Sequence, residues 1–257
     1  MKAAELFELK DRVALVTGAS GGLGLRFAEV LAANGASVAL VARRAEKLAE
    51  AKAKIEKAGG KATAIEADVL DRTQMVRAFD QAEQALGTVT ILVNNAGVAH
   101  STRATDMSAE EWHRVVSTNL DAVFFWAQEG ARRMLKASAK GAIVNIASVL
   151  GISVSKGTVA YATAKAGVIQ MTKTLGLELA FKGVRVNAIA PGWFVTDINR
   201  DYLTGAGANL VRDIPVGRFG RDGDLDGALL LLASDAGGFM AGTTVVVDGG
   251  QVVAIRG

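Results

Sequence analysis

Short apolar segments rich in Val, Ile and Ala recur along the 257-residue chain, and segments with helical periodicity separate them. Most of the apolar segments are continuously hydrophobic, which is typical of strands that are buried on both faces of a sheet. The pattern predicts strands near residues 12–17, 37–42, 61–67, 88–95, 141–148, 184–191 and 243–250. It predicts helices near residues 23–34, 45–58, 72–86, 109–136, 158–181 and 222–234.

This alternation of strands and helices predicts an α/β fold. About seven parallel strands would form a doubly wound sheet with helices on both faces. No linker or repeat divides the chain, so we expect a single domain over residues 1–257. Residues 192–223 lack clear periodicity and contain several glycines, and we expect them to form a partly helical lid over a site.

A glycine-rich turn, TGASGGLG, joins the first predicted strand to the first predicted helix. Gly18, Gly22 and Gly24 would let the backbone approach a pyrophosphate, whose charge the helix N-terminus would attract. Ser20 and Leu23 lie in the same turn. The turn therefore predicts a dinucleotide site, with a merely tight connection as the alternative.

Two arginines follow the second predicted strand, where dinucleotide-binding folds carry an acid for the adenine-side ribose. The strand ends at Ala42, and no acid lies between Glu29 and Glu46. Cations in a first helical turn cost about 0.3–1 kcal/mol each, whereas guanidinium groups suit phosphate geometry. Arg43, supported by Arg44, is therefore predicted to bind the 2′-phosphate of NADP(H), with projection into water as the alternative.

Polar residues that could carry chemistry follow the later strands. Asn119 falls on the apolar stripe of the predicted helix 109–136, where it needs hydrogen-bond partners, and its role could be structural or catalytic. Ser148 ends the fifth predicted strand. Tyr161 and Lys165 are four residues apart and therefore adjacent on one helix face. A nearby ammonium favours a phenolate, so this pair is suited to proton transfer.

The ordered set of motifs resembles the short-chain dehydrogenases/reductases of about 250 residues, over nearly the whole chain. The set comprises TGASGGLG, Asp68, NNAG at 94–97, Asn119, Ser148, YATAK at 161–165, PGWFVT at 191–196 and VVVDGG at 245–250. The resemblance implies a Rossmann-type fold. It also implies that Tyr161 is the general acid/base, that Ser148 holds the substrate oxygen, and that Lys165 binds the nicotinamide ribose and lowers the tyrosine pKa. Asn119 would anchor a water that relays protons.

The cofactor site implied by the resemblance draws on most of these segments. Asp68 is a candidate for the adenine ring, with a helix N-cap as the alternative. Gly21 stands where members that prefer NADP(H) often carry a basic residue, so the NADP(H) prediction rests on Arg43 and Arg44. The cofactor-binding candidates are Gly18, Ser20, Gly22, Leu23, Gly24, Arg43, Arg44, Asp68, Val69, Asn95, Ala96, Gly97, Tyr161, Lys165, Pro191, Gly192 and Thr196.

The expected reaction is hydride transfer between NADP(H) and a ketone or secondary alcohol. The tentative substrate wall consists of Leu150, Val154, Trp193 and Phe194 beside Ser148, and its apolar character suits a neutral hydrophobic substrate. Trp193 and Phe194 could instead simply pack the lid on the core.

Two other functions stay open. The first is a 3-oxoacyl-thioester reductase acting on acyl-carrier-protein or coenzyme A thioesters. In that case Arg132, Arg133, Lys136 and Lys182 could dock an acidic carrier. The second, more remote, is a non-catalytic dinucleotide-sensing protein, which would have little reason to keep Ser148, Tyr161 and Lys165 together.

Composition narrows the partners and the location. The chain has 29 Lys and Arg against 26 Asp and Glu, spread over helix faces, so we expect no nucleic-acid partner. It has no cysteine and two histidines, which excludes thiolate chemistry and argues against zinc. The charged N-terminal segment and the lack of an uncharged apolar run of roughly 20 residues predict a soluble cytoplasmic protein without a membrane span.

An oligomer is also expected. The predicted helices 109–136 and 158–181 carry more apolar positions than one sheet-facing stripe needs, and the last strand would form a sheet edge. The resemblance implies a homotetramer with 222 symmetry, in which these elements form the interfaces.

Overall fold

The computed structural model describes residues 2–196, 200–205 and 207–254. In these residues, seven strands form one parallel sheet in the order β3-β2-β1-β4-β5-β6-β7. The strands are β1 (Val13–Thr17), β2 (Ser37–Ala42), β3 (Lys61–Glu66), β4 (Ile91–Asn94), β5 (Gly141–Ile146), β6 (Val184–Pro191) and β7 (Thr244–Val247). The helices are α1 (Ala3–Phe7), α2 (Gly22–Ala33), α3 (Ala45–Lys57), α4 (Arg72–Leu86), α5 (Ala109–Val116), α6 (Ala122–Lys136), α7 (Val159–Leu179), α8 (Arg200–Thr204) and α9 (Asp226–Ala233).

The sheet is covered on both faces, because successive side chains of the central strands point to opposite sides. On one face, alternate residues of β1 and β2 pack with Phe27 of α2 and Leu229 of α9. On the other face, the intervening residues pack with Phe79 of α4 and Trp126 of α6. The predicted doubly wound, Rossmann-type fold is therefore confirmed.

The two edges of the sheet differ from its centre. β1 and β5 are buried along their whole length, whereas in β3 only Ala62 and Ile65 are buried. β7 is only half-buried, and Val246 is 38% exposed. Continuous apolarity therefore describes the central strands, and the edge strands keep one wetter side because fewer elements cover them.

The backbone is helical without a gap over the predicted residues 109–136, but its hydrogen-bonding pattern changes within this range. A π-helical segment, Ser117–Asp121, separates α5 from α6. Such a segment adds a residue to the turn and is common at functional sites. The buried Asn119 lies in it. None of the helices within the described ranges is long and apolar enough to cross a membrane.

The predicted lid, residues 192–223, contains α8 and a 3₁₀ turn over Ala208–Asp213, so its described part is partly helical. Residues 197–199 and 206 of this segment lie outside the described residues. The Gly220 N–H donates to the Trp193 carbonyl at 2.8 Å, which joins the two ends of the segment. At its C-terminal end, a hydrogen bond from the Arg218 guanidinium lowers the pKa of Asp224 to about 2.

Candidate active site

The glycine-rich turn between β1 and α2 forms a cradle without side chains. Gly18 and Gly22 have φ values of +68° and +54°, a region that glycine adopts without strain. A Cβ atom at Gly18 would lie 2.9 Å from the Ala96 Cα, and one at Gly24 would collide with the Gly18 carbonyl oxygen. This close backbone approach, at the N-terminus of a 12-residue helix, fits a pyrophosphate.

The end of β4 is tied to this turn. The Thr17 hydroxyl oxygen accepts the N–H groups of Asn95 and Ala96 at 3.0 and 3.1 Å. The Asn95 amide donates to the Thr17 carbonyl at 3.0 Å. Two predicted cofactor-binding segments are therefore side by side. Thr17 is a site residue that the sequence analysis missed, although it begins the quoted glycine motif.

The first residues of the predicted lid also reach this region. Thr196 faces the glycine turn, since a Cβ added to Gly22 would lie 3.6 Å from the Thr196 Cβ. The Gly192 N–H donates to the Val247 carbonyl at 2.9 Å, and Pro191 is the buried last residue of β6. These three candidates thus lie along a path from the sheet towards the cradle.

The two arginines follow β2 directly, and both are exposed. Arg44 lies against the glycine turn, where its Nε and Nη2 donate to the Ser20 hydroxyl at 3.3 and 3.0 Å. Arg44 also occupies the N-cap position of α3 without making a capping hydrogen bond through its side chain. Of the predicted pair, Arg44 is the one in contact with the phosphate loop.

Asp68 does not cap a helix, so that alternative is wrong. The cap of α4 is Asp71, whose carboxylate accepts the N–H groups of Thr73 and Gln74 at 2.8 and 3.0 Å. Asp68 instead accepts the Leu70 N–H at 3.0 Å and so holds the turn after β3. The neighbouring Val69 carbonyl accepts the indole N–H of Trp126 at 3.1 Å.

Ser148 and Tyr161 lie together beyond the end of β5. Ser148 is buried, and its hydroxyl accepts the Leu150 N–H at 3.1 Å in a short 3₁₀ turn. Part of the Tyr161 side chain reaches the surface, but its hydroxyl end is enclosed and hydrogen-bonded to Ser148. Burial raises the pKa of Tyr161, and the hydrogen bond with Ser148 opposes this rise.

Lys165 lies beneath this pair and is only 4% exposed. Its Nζ donates to the Ile146 carbonyl at 2.7 Å and stands 5.7 Å from the centre of the Tyr161 ring. Burial lowers the pKa of Lys165 to about 8. The Lys165 ammonium bonds to the main chain in this structure, and the lowering of the tyrosine pKa by Lys165 stays a prediction for the site with its cofactor bound. With its pKa raised by burial, the Tyr161 phenol keeps its proton at neutral pH and is suited to donate it.

The Asn119 side chain holds the chain that follows β4. Its Oδ1 accepts the Val98 N–H at 3.0 Å, and its Nδ2 donates to the Val98 carbonyl at 2.8 Å. A Cβ at Gly97 would lie 2.6 Å from the same Oδ1. The side chain thus has a structural role in holding the chain after β4, and the role of Asn119 in anchoring a water stays a prediction.

The predicted substrate wall is only partly assembled. Leu150 is half-buried beside Ser148, whereas Val154 is 88% exposed. Phe194 is 6% exposed, belongs to the core cluster and packs against Gly220, so it packs the lid segment on the core. Trp193 and Phe194 line a separate cavity of about 200 Å³ with Ile214, Val216, Arg218, Gly220, Asp224, Val247, Asp248 and Gly249. Neither Ser148, Tyr161 nor Lys165 lines this cavity.

The expected basic patch for an acidic carrier is also smaller than predicted. Arg133 contacts three carboxylates, those of Asp80, Glu83 and Glu129, at 2.7, 2.8 and 2.7 Å. Its guanidinium also lies 5.2 Å from the centre of the Phe79 ring. Arg133 is therefore occupied within the fold, and Arg132, Lys136 and Lys182 are the exposed members of the patch.

Known proteins are similar to this chain over almost its whole length. The 3beta-hydroxysteroid dehydrogenase 1 of Eggerthella lenta is 40% identical over 249 residues, covering 96% of this chain and 95% of that protein. The 3-oxoacyl-[acyl-carrier-protein] reductase FabG of Thermotoga maritima is 36% identical over 245 residues, covering 95% of this chain and 99% of that protein.

A solved structure gives the same result. The crystal structure of a gluconate 5-dehydrogenase from Burkholderia cenocepacia, in complex with NADP and tartrate, has a TM-score of 0.94 and 36% identity. The match covers 99% of this chain and 100% of the gluconate 5-dehydrogenase chain. The family described as short chain dehydrogenase matches residues 12–206, which include the glycine turn, Ser148, Tyr161 and Lys165. The chain therefore belongs to the short-chain dehydrogenase family and is an oxidoreductase that acts on CH–OH or C=O groups.

Proposed function

We propose that this protein is an NADP(H)-dependent carbonyl reductase that interconverts a ketone and a secondary alcohol, with a neutral hydrophobic substrate. The single observation that carries the proposal is the cluster of Ser148, Tyr161 and Lys165. It lies at the carboxyl end of the parallel strands, where the glycine turn also lies. A buried, protonated phenol hydrogen-bonded to a serine is suited to bind and protonate a carbonyl oxygen.

Each group has a defined task in this proposal. NADPH, when bound, supplies the hydride for the carbonyl carbon. The Ser148 hydroxyl orients the carbonyl oxygen, and Tyr161 donates its phenolic proton to that oxygen, so that the product is an alcohol. Lys165, whose pKa is about 8, can release a proton near neutral pH. Because its ammonium bonds to the Ile146 carbonyl, a bridging hydroxyl or water would have to carry that proton to Tyr161. The glycine turn would hold the pyrophosphate, and Lys165 would also bind the nicotinamide ribose.

We propose that Arg44 and Arg43 together bind the 2′-phosphate and so cause a preference for NADP(H). Its support is the contact of Arg44 with Ser20 in the phosphate loop and the absence of an acid at the end of β2. The relative from Burkholderia cenocepacia was solved with NADP. Guanidinium groups bind phosphates through charge-assisted hydrogen bonds.

The test is the ratio of kcat/KM for NADPH to that for NADH. In Arg43→Ala and Arg44→Ala, the ratio should fall by about tenfold or more, the loss of one charge-assisted hydrogen bond or two. Lys47→Ala is the matched control, because Lys47 is an exposed cation on the same helix that pairs with Glu50. An unchanged ratio in both arginine variants would contradict the assignment.

A 3-oxoacyl-thioester reductase is the second candidate. The 36% identity to the Thermotoga maritima reductase over 95% of this chain favours it, while the three carboxylates on Arg133 weaken the docking patch. Turnover of NADPH with hydrophobic ketones, a 3-oxosteroid, 5-ketogluconate and acetoacetyl thioesters separates the candidates. NADPH binding without turnover on any carbonyl would favour a non-catalytic dinucleotide-binding protein.

We also propose that the chain forms a homotetramer. Leu177, in the last turn of α7, and Phe181, in the 3₁₀ turn that follows it, are 81% and 82% exposed, and β7 has a half-exposed apolar edge. Exposed apolar side chains of this size are typical of protein interfaces. Light scattering should give four times the chain mass, and a monomer mass would contradict the proposal.

A further inference from the structure

His100 lies in the loop between β4 and α5, and its imidazole makes contacts on both ring nitrogens. Nε2 lies 2.8 Å from Glu111 Oε1 and 2.8 Å from the Thr102 hydroxyl. Nδ1 lies 3.1 Å from the Arg114 guanidinium. The imidazole is only 21% exposed. His100 thus joins its own loop to two side chains of α5.

These partners determine where the imidazole carries its proton. A guanidinium only donates hydrogen bonds, so Nδ1 must be the acceptor of the bond from Arg114. The proton of the neutral ring therefore sits on Nε2, where it faces the Glu111 carboxylate and the Thr102 oxygen. An imidazole that accepts on one side and donates on the other bridges Arg114 and Glu111.

The same loop is anchored at two further points. Before His100, the Val98 main chain is paired with Asn119 on both its N–H and its carbonyl. After it, the Thr102 N–H donates to the Gly157 carbonyl at 3.0 Å. Gly157 has a φ of +77°, and a Cβ there would lie 2.8 Å from the Ser101 hydroxyl, so the two loops touch closely. Gly157 precedes Tyr161 by four residues.

We propose that His100 is a positioning residue that sets the substrate side of the catalytic site. By holding the loop to α5, it keeps Thr102 against Gly157 and so fixes loop residues 98–102 next to the segment that leads to Tyr161. The inference rests on the proposed function in one respect, that the substrate binds beside Tyr161.

The test compares His100→Ala, His100→Gln and His113→Ala. His113 is the only other histidine of the chain, and it is exposed on the same helix α5, so its variant controls for the loss of an imidazole there. Glutamine keeps one acceptor for Arg114 and one donor for Glu111. Steady-state kinetics gives kcat and KM for ketone and for NADPH, and hydrogen exchange gives the protection of the Thr102 amide.

In His100→Ala, KM for the ketone should rise about tenfold, as expected for the loss of one charge-assisted hydrogen bond. The values of kcat and of KM for NADPH should change less than about threefold, because Ser148 and the cofactor cradle keep their own contacts. The Thr102 amide should exchange faster. His100→Gln should recover most of both effects, and His113→Ala should behave as the wild type.

A KM for the ketone within twofold of the wild type, or an unchanged exchange rate at Thr102, would overturn the proposal. So would equal rises in KM for the ketone and in KM for NADPH together with a fall in kcat, because the effect would then not be confined to the substrate side. Failure of the proposed function looks different. In that case the wild type itself turns over no carbonyl substrate, while the exchange of the Thr102 amide still reports whether His100 holds the loop.

Discussion

Two enclosed cations of this protein have opposite surroundings. Lys165, below the candidate catalytic pair, has a main-chain carbonyl as its partner, and burial lowers its pKa to about 8. Arg133, between α4 and α6, has three carboxylates within 2.8 Å. Burial by itself lowers the pKa of Arg133, but the hydrogen bonds to Glu129, Asp80 and Glu83 outweigh it, so its pKa is raised.

The difference separates a group held for chemistry from a group held for structure. An arginine whose charge is fully compensated cannot take part in proton transfer, and it stabilises the contact between two helices. A lysine that is desolvated without a carboxylate pays for its charge in stability, and it can lose its proton near neutral pH. We therefore expect the buried Lys165 to lower the stability of the fold and to be needed for turnover.

The largest effect should follow from removing the phenol above Lys165. In Tyr161→Phe, turnover should fall by about 10²–10⁴ or more, because the general acid is lost. The NADPH dissociation constant, measured by fluorescence titration, should stay within threefold of the wild type. Arg133→Met should leave kcat almost unchanged. Near-normal turnover of Tyr161→Phe would refute its role as the proton donor.

The second effect concerns stability at the other cation. Arg133→Met removes the centre of a four-charge network and leaves three carboxylates close together, so the free energy of unfolding should drop by about 2–3 kcal/mol. Urea denaturation measures this drop. Arg132→Ala is the matched control, since Arg132 is exposed next to it, and its effect should stay within about 0.5 kcal/mol. Equal effects of the two variants would mean that the network contributes nothing.

The smallest effect is a gain in stability. Below pH 8, Lys165 is charged in both the folded and the unfolded protein, so the full desolvation cost is present. Between pH 8 and its ordinary pKa near 10.5, the folded protein binds fewer protons, and the cost fades as pH rises. Lys165→Met should therefore be more stable by about 1–2 kcal/mol at pH 7, after the loss of the bond to Ile146.

The advantage of Lys165→Met should shrink when the denaturation is repeated at pH 9.5. A variant less stable than the wild type at pH 7 would show that the hydrogen bond to Ile146 outweighs the desolvation of the ammonium. An advantage that grows with pH would contradict the direction of the pKa shift.

The sequence predicts the fold more completely than it predicts the arrangement of the candidate site. Strand and helix periods are local properties, so the alternating pattern predicted the sheet and its coverage, including the strands that hold Ser148 and the glycine turn. The π-helical segment at Asn119 was not predicted, and neither was the pairing of the Asn119 side chain with Val98, which lies 21 residues away. The same holds for Phe194, whose apolar character suits a substrate wall and the core equally well.

The linear order of residues thus determined the fold class and the family, and it supplied the candidate reactive groups, since each of these depends on local periodicity or on short motifs. The protonation of those groups came from the folded protein, because burial and hydrogen bonding act through space. In the folded protein, the Lys165 ammonium donates to the Ile146 carbonyl and Arg44 donates to Ser20. Arg133 pairs with three carboxylates from two helices.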